Sequence, residues 1–170
     1  MAVQADAFGI FEQRDILIRI ERASVNRMDE AYSIVREYYE AVGVVVRDDR
    51  ESFARDYFGV GSGVWLAYED ASVVGCIALR PLPQLERAGE IKRMYVKPGS
   101  RGQGVAERLL KALEEYAAGS GHRALYLDTK DDLTTAIQFY RRHGYEACER
   151  YNENPQATIF MKKRLGRTLR

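Results

Sequence analysis

The spacing of apolar and polar positions divides this chain into short strands and a few amphipathic helices. Alternation over 16–20, Ile-Leu-Ile-Arg-Ile, predicts a first strand. Ala31, Ile34, Val35, Tyr38, Tyr39 and Val42 then recur with a period of about 3.6 residues, so 31–42 reads as a helix with one buried face. Asn26 offers a cap ahead of that helix and Gly43 a stop behind it. A second, shorter helix is expected over 50–58, before the turn Gly59-Val60-Gly61-Ser62-Gly63. Residues 64–69 and 72–80 predict a hairpin across Asp70-Ala71, with 90–96 as the next strand.

That last strand has an irregular pattern. Ile91 and Met94 cannot share a face of a regular strand, because side chains alternate with period two. A β-bulge near Arg93 or Met94 reconciles them and leaves backbone groups free for an extended, amide-bearing ligand. The alternative is an ordinary strand buried on both faces. Lys97-Pro98-Gly99 ends the ladder, because proline has no N–H to give it. A long helix follows over 105–117, with Val105, Leu109, Leu113, Tyr116 and Ala117 on one stripe and Glu107 spaced to pair with Lys111. Gly119-Ser120-Gly121 closes it. A strand is expected over 124–129, a helix and turn over 136–145, and a final hairpin joining 145–150 to 158–163 through 151–155.

Composition narrows the function. At 170 residues, without repeat, linker or low-complexity stretch, the chain fits one domain over 14–170 behind a loosely held extension at 1–13. A formal charge of +1 argues against a nucleic-acid partner held by bulk electrostatics. No apolar run approaches the roughly 20 residues that span a bilayer, so no membrane partner is expected. Residues 1–13 do not read as a signal peptide, and the two cysteines, Cys76 and Cys148, make no disulfide framework. A cytoplasmic setting is the expectation. Both cysteines lie in strand-like apolar contexts and read as packing residues, and Cys76 has neither a base nor a cationic neighbourhood in sequence. His122 and His143 show no metal-ligand spacing, and no metal is assigned.

The candidate chemistry begins at Arg101-Gly102-Gln103-Gly104-Val105-Ala106, between the strand at 90–96 and the long helix. Two glycines at a helix mouth let the backbone approach a ligand, and the first turn offers unpaired N–H groups at the positive end of the helix dipole. This is a site for a phosphate group. It is neither a dinucleotide fingerprint, since the third glycine is replaced by Glu107, nor a mononucleotide loop, since no G-x-x-x-x-G-K-S/T occurs. It does match Q/R-x-x-G-x-G/A through Arg101, Gly104 and Ala106. Further on, Ala136-Ile137-Gln138-Phe139-Tyr140-Arg141-Arg142-His143-Gly144-Tyr145 matches A-x-x-F/Y-Y-x-x-x-G-F/Y. In this order the two motifs resemble the pyrophosphate loop and the following helix of the GNAT superfamily of acetyl-CoA-dependent N-acetyltransferases. The resemblance is strongest over 62–164. It departs at Leu133, where many relatives carry an asparagine that bonds the pantetheine arm.

The resemblance implies an α/β domain of GNAT type, with a mixed, mostly antiparallel sheet of about six to seven strands flanked by helices. It implies acetyl-CoA as cosubstrate, lying along the strand at Met94, Tyr95 and Val96 with its phosphates at Arg101, Gly102, Gln103, Gly104, Val105 and Ala106; Tyr95 also reads as sheet packing. Glu90 is the candidate base, acting through a water on the acceptor amine. Its competing reading is a cross-strand pair with Arg80, and the two are compatible if Arg80 orients the carboxylate. Tyr140 is the candidate acid for the departing thiolate, against core packing beside Phe139. The acceptor site is implied at about 43–63, 80–89 and 151–155, bringing in Arg80, Glu90, Tyr151 and Asn152. Arg47, Arg50 and Arg80 offer to bind a carboxylate, or read as solvated charges. The expected reaction is N-acetylation of a small amine or amino-acid-like acceptor by direct attack. Acetylation of a protein N-terminus or lysine, and a non-catalytic acyl-CoA sensor, are the alternatives. A homodimer is left open.

Overall fold

One sheet organises the protein, in the order β1-β2-β3-β4-β5-β7-β6. The computed structural model describes residues 17–166, so the extension at 1–13, Ile16 of the first predicted strand and the last four residues lie outside it. The strands are β1 (Ile18–Arg22), β2 (Gly63–Glu69), β3 (Ser72–Pro81), β4 (Ala88–Val96), β5 (Ala124–Thr129), β6 (Glu146–Ala147) and β7 (Ile159–Arg164). Neighbours run antiparallel except for β4 and β5, which are parallel, giving the mixed, mostly antiparallel sheet that was expected.

Helices cover both faces, which explains why β2 and β3 read as unbroken apolar runs. Val64, Leu66 and Tyr68 of β2, with Cys76 and Ala78 of β3, pack on one side among residues of α1 (Met28–Val42) and α2 (Arg50–Tyr57). Trp65, Ala67, Ile77 and Leu79 alternate to the other side, among residues of α3 (Val105–Gly119) and α4 (Thr134–Arg142). Each strand alternates, but both of its faces are core. The long helix α3 sits close on the sheet at Gly75, where an added Cβ would lie 3.0 Å from the Tyr95 carbonyl and 3.2 Å from Leu109.

β4 carries the irregularity expected from Ile91 and Met94. Cys76 faces Tyr95 and Ala78 faces Lys92, so the single residue Ile77 is opposed by both Arg93 and Met94. Arg93 adopts a left-handed backbone with φ 58°. Such a conformation in a non-glycine residue costs on the order of 1–3 kcal/mol and persists only where its surroundings impose it. Beyond this bulge Met94 and Val96 pack with Ile91 on the α3 side, while Tyr95 packs with the α1 cluster. β5 pairs with β4 only at Ala88, Gly89 and Glu90. From Ile91 onward the two strands part, and among the described residues that edge of β4 has no strand beside it.

Several local expectations are corrected. Asn26 does not cap α1: it lies inside a 3₁₀ turn, Val25–Arg27, whose own Arg27 N–H to Ser24 carbonyl bond makes the entry. Arg27 stands at the cap position without a side-chain bond, and Asp29 and Glu30 supply negative charge to the first turn. Lys111 pairs with Glu115 at 3.7 Å rather than with Glu107, and both groups are too exposed for the choice to matter much. The stripe of α3 is wider than predicted and includes Leu110. The predicted strand over 145–150 shrinks to Glu146–Ala147. Tyr145 is drawn into the core against Tyr140, and Arg150 curls back to the carbonyls of Asn152, Asn154 and Ala157.

Candidate active site

The parting of β4 and β5 opens a cavity of about 530 Å³. Tyr38, Asp48, Arg80, Lys92, Arg93 and Asp128 face it from α1, the loop before α2, β3, β4 and β5. Two loops bound it, 42–46 after α1 and 152–157 before β7. They are tied by Gln156, which accepts from the Val45 N–H at 2.8 Å and donates to the Gly43 carbonyl at 3.3 Å.

A chain of charges crosses the mouth of the split. Glu90 has a side chain only 1% exposed; its carboxylate meets Arg80 Nη2 at 3.2 Å and Lys92 Nζ at 2.9 Å. Arg80 stands opposite Glu90 in the β3–β4 register, so the cross-strand pair weighed from sequence is present. Lys92 continues to Asp128 at 3.2 Å, bridging β4 to β5 where their backbones no longer touch. Burial opposes ionisation of Asp128, but Lys92 and the amide donors of Asn152 and Asn154 outweigh it and hold the carboxyl below its ordinary range. Tyr151 Oη and Asn152 Nδ2 reach Glu90 Oε1 at 3.4 and 3.5 Å, contacts at the long end of hydrogen bonding. Burial, reinforced by Glu90 and Asp128, keeps the Tyr151 phenol protonated. Arg80, Glu90, Tyr151 and Asn152, far apart in sequence, thus converge.

The other two arginines considered for the acceptor do not join them. Arg47 pairs with Glu40 and the Val44 carbonyl, and Arg50 with Asp29 at 2.7 Å, because each has a carboxylate of α1 within reach. Arg93 faces the cavity instead. It donates to Asp48 Oδ2 at 2.9 Å and stacks over the ring of Tyr39 at 4.9 Å. Sequence reasoning missed Lys92, Arg93, Asp48 and Asp128. Lys92 had a signal: two residues after Glu90 and before the bulge, it must share that residue's face. The others depend on partners dozens of residues away.

At the far end of β4, the glycine-rich loop takes the conformation its composition demands. Gly102 and Gly104 both have φ 76°, and a Cβ on either would point into open space. Backbone conformation, rather than crowding, is what requires glycine there. Arg101 and Gln103 are exposed, and Arg101 Nε donates to the Val96 carbonyl at 2.9 Å. Gly104 stands at the N-cap of α3 without a side-chain cap, so no side chain there bonds the first-turn N–H groups. Val105 and Ala106 place their side chains in the core, which leaves only their backbone to face a ligand. Met94 and Val96 likewise pack inward, and Tyr95 lies 6.4 Å from the ring of Tyr38.

Tyr140 is buried on α4, edge-on to Phe139 and Tyr145 at 5.3 and 5.4 Å. Among the described residues its hydroxyl makes no hydrogen bond. Burial opposes its ionisation, and Tyr38 adds to the effect. Tyr38 belongs to the opposite face of the sheet, so the two phenols sense one another where the strands have parted. Leu133 lines the cavity just ahead of α4. Cys76 donates its thiol to the Arg93 carbonyl at 3.1 Å, and burial pushes that thiol far up, which suits packing and not nucleophilic attack. Cys148 is half-buried on β7's flank, with its N–H bonded to the Phe160 carbonyl. Among the described residues no cluster of three His, Cys, Asp or Glu side chains is placed to hold a metal, and no helix is long and apolar enough to cross a membrane.

Known proteins share this arrangement. The sequence profile described as "Acetyltransferase (GNAT) family" matches residues 28–145. An uncharacterised N-acetyltransferase of Schizosaccharomyces pombe is 30% identical over 134 residues, spanning 75% of this chain and 82% of that protein. Among solved structures, a GNAT-family acetyltransferase of Staphylococcus aureus Mu50 superposes with a TM-score of 0.76 at 21% identity, over 88% of this chain and all of that one. N-acetylglutamate synthase of Neisseria gonorrhoeae, complexed with coenzyme A and N-acetyl-glutamate, gives a TM-score of 0.72 at 20% identity over 91% of this chain and 36% of that one. With the split β4–β5 pair and the uncapped, glycine-led helix, the profile match and the yeast relative lead to one conclusion: this chain belongs to the GNAT acetyltransferase family and is an acyltransferase.

Proposed function

We propose that the enzyme moves an acetyl group from acetyl-CoA to the primary amine of a small, amino-acid-like acceptor. The observation that carries this reading is the cavity at the β4–β5 split, whose wall includes Arg80 and Lys92, the two cations that hold Glu90. Its volume of about 530 Å³ lies within the roughly 300–1,000 Å³ usual for small-molecule pockets. The tie made by Gln156 between its two bounding loops favours a compact acceptor over a polypeptide laid across an open groove. In the same proposal the domain runs from about residue 14, and the free thiols of Cys76 and Cys148 suit a reducing cytoplasm.

The residues fit the coenzyme. The backbone N–H groups of 102–106, at the positive pole of α3, are suited to the pyrophosphate, with Arg101 able to turn from the Val96 carbonyl to a phosphate. The free edge of β4 at Met94, Tyr95 and Val96 is suited to the amides of the pantetheine arm. Acetyl-CoA supplies the activated acyl group. Glu90, held in one orientation by Arg80 and Lys92, accepts the acceptor's proton through a water. Tyr140, whose burial keeps its proton in place at neutral pH, donates it to the departing sulfur.

Thiol release on mixing with acetyl-CoA tests the reading directly. Free amino acids and small amines should support turnover and peptides should not; preference for peptides would make this a protein acetyltransferase, and no release with any amine would make it a sensor. Gly104→Val forces a β-branched residue into a left-handed conformation at the phosphate loop. Calorimetric affinity for CoA should fall about tenfold or more while the fold's circular dichroism persists; unchanged affinity would remove the loop from the coenzyme site. Tyr140→Phe keeps the ring and deletes the proton. Turnover should drop on the order of 10²-fold with acetyl-CoA binding little changed, and full activity would return Tyr140 to core packing. For Glu90→Gln, a base acting through water predicts a defect largest at low pH, shrinking as the acceptor amine loses its proton in solution. Rate profiles between about pH 6 and 9.5 decide this, with thermal melts reporting the lost ion pairs separately. Superimposable profiles would leave Glu90 a structural partner of Arg80 and Lys92.

A further inference from the structure

Two arginines at the cavity carry more hydrogen-bond donors than the fold consumes. Arg80 directs Nε and Nη2 to one oxygen of Glu90, at 3.3 and 3.2 Å, while its Nη1 stays 3.9 Å from Asp56, beyond hydrogen-bond reach. Arg93 gives Nη2 to Asp48, and its Nε is buried with no acceptor among the described residues. Buried donors without acceptors are rare and costly in a finished fold. Arg80 and Arg93 both line the open cavity, so their spare donors suit an anion that arrives from outside.

The geometry also selects the kind of anion. The Arg93 guanidinium is held by its stack on Tyr39, by Asp48 and by a backbone that the bulge fixes at φ 58°. A planar fork so restrained matches a carboxylate, which accepts two parallel N–H bonds. Arg80 touches Glu90, so an anion bound at the arginines sits close to the proposed base. Amine and carboxylate stand this near each other in an α-amino acid, where a single carbon separates them. Building on the small-acceptor reading above, we propose that Arg80 and Arg93 anchor the acceptor's α-carboxylate, making free α-amino acids the substrate class.

Binding and turnover test this separately. With CoA present, calorimetry compares N-acetyl amino acids with their carboxamides across acidic, aliphatic and aromatic side chains. At least one acid should bind about tenfold or more tighter than its amide. Arg80→Lys keeps a charge beside Glu90 and Arg93→Lys keeps one beside Asp48, while each removes the fork. Each should pull the acid-to-amide ratio toward one, with melting curves confirming that the proteins are folded. A wild-type ratio near one across the panel, or a ratio that neither variant moves, overturns the anchor. Thiol release gives the second arm: amino-acid amides turned over as fast as free amino acids would also overturn the anchor and leave the transferase reading standing. Absence of release with every amine would sink the transferase reading, and the calorimetric ratio would still decide the anchor.

Discussion

Backbone pairing along β4 changes part-way along its length, and the rest of the molecule is arranged around that change. β4 keeps β3 as a neighbour throughout, through a bulge, but keeps β5 only as far as Glu90. Hydrogen-bonding groups beyond that point are turned toward a gap rather than another strand. An unpaired edge inside a protein is costly unless something accepts its bonds, so the split suits the extended, amide-bearing coenzyme arm proposed for it. Its two ends are equipped differently. One leads to the glycine loop and the positive pole of α3, the other to buried carboxylates and cations.

Buried charge keeps the gap open and shaped. Lys92 is bonded to Glu90 and to Asp128, so one ammonium spans the two strands where their backbones have separated. Removing such charges from water offsets much of their mutual attraction, and the chain adds little net stability. Its effect is orientation: Arg80, Lys92, Tyr151 and the Asn152 amide approach Glu90 from different elements. The same gap lets Tyr38, from the α1 side, and Tyr140, from the α4 side, influence one another across what would otherwise be a closed sheet. The bulge contributes by placing Arg93 on the α1 face, where it meets Tyr39 and Asp48 and holds a donor in reserve.

Much of this was legible from residue order. The clash between Ile91 and Met94 announced the bulge, since period two is a property of any extended chain. Helical spacing announced α1 and α3, and Gly43 announced the helix stop that it makes in a left-handed conformation, because these preferences act within a few residues; the left-handed backbone of Gly102 and Gly104 emerged from the structure. The run over 124–129 matched β5 residue for residue. Local competition was harder to read. Asn26 lost its capping role to a 3₁₀ turn, and the strand over 145–150 gave way to the burial of Tyr145.

What the sequence by itself determined was therefore the set of elements, the glycine-led helix start and the placement of Glu90 opposite Arg80. Only the tertiary structure decided what these meet. Asp128 reaches Lys92 across 36 positions, and Arg93 reaches Asp48 across 45. No periodicity encodes such pairs, because they depend on where β5 leaves β4 and on which loop folds over the opening. Local conformation follows from each residue's own steric preferences. The cavity, its charge chain and its unspent donors follow from the way distant elements compete for the same space.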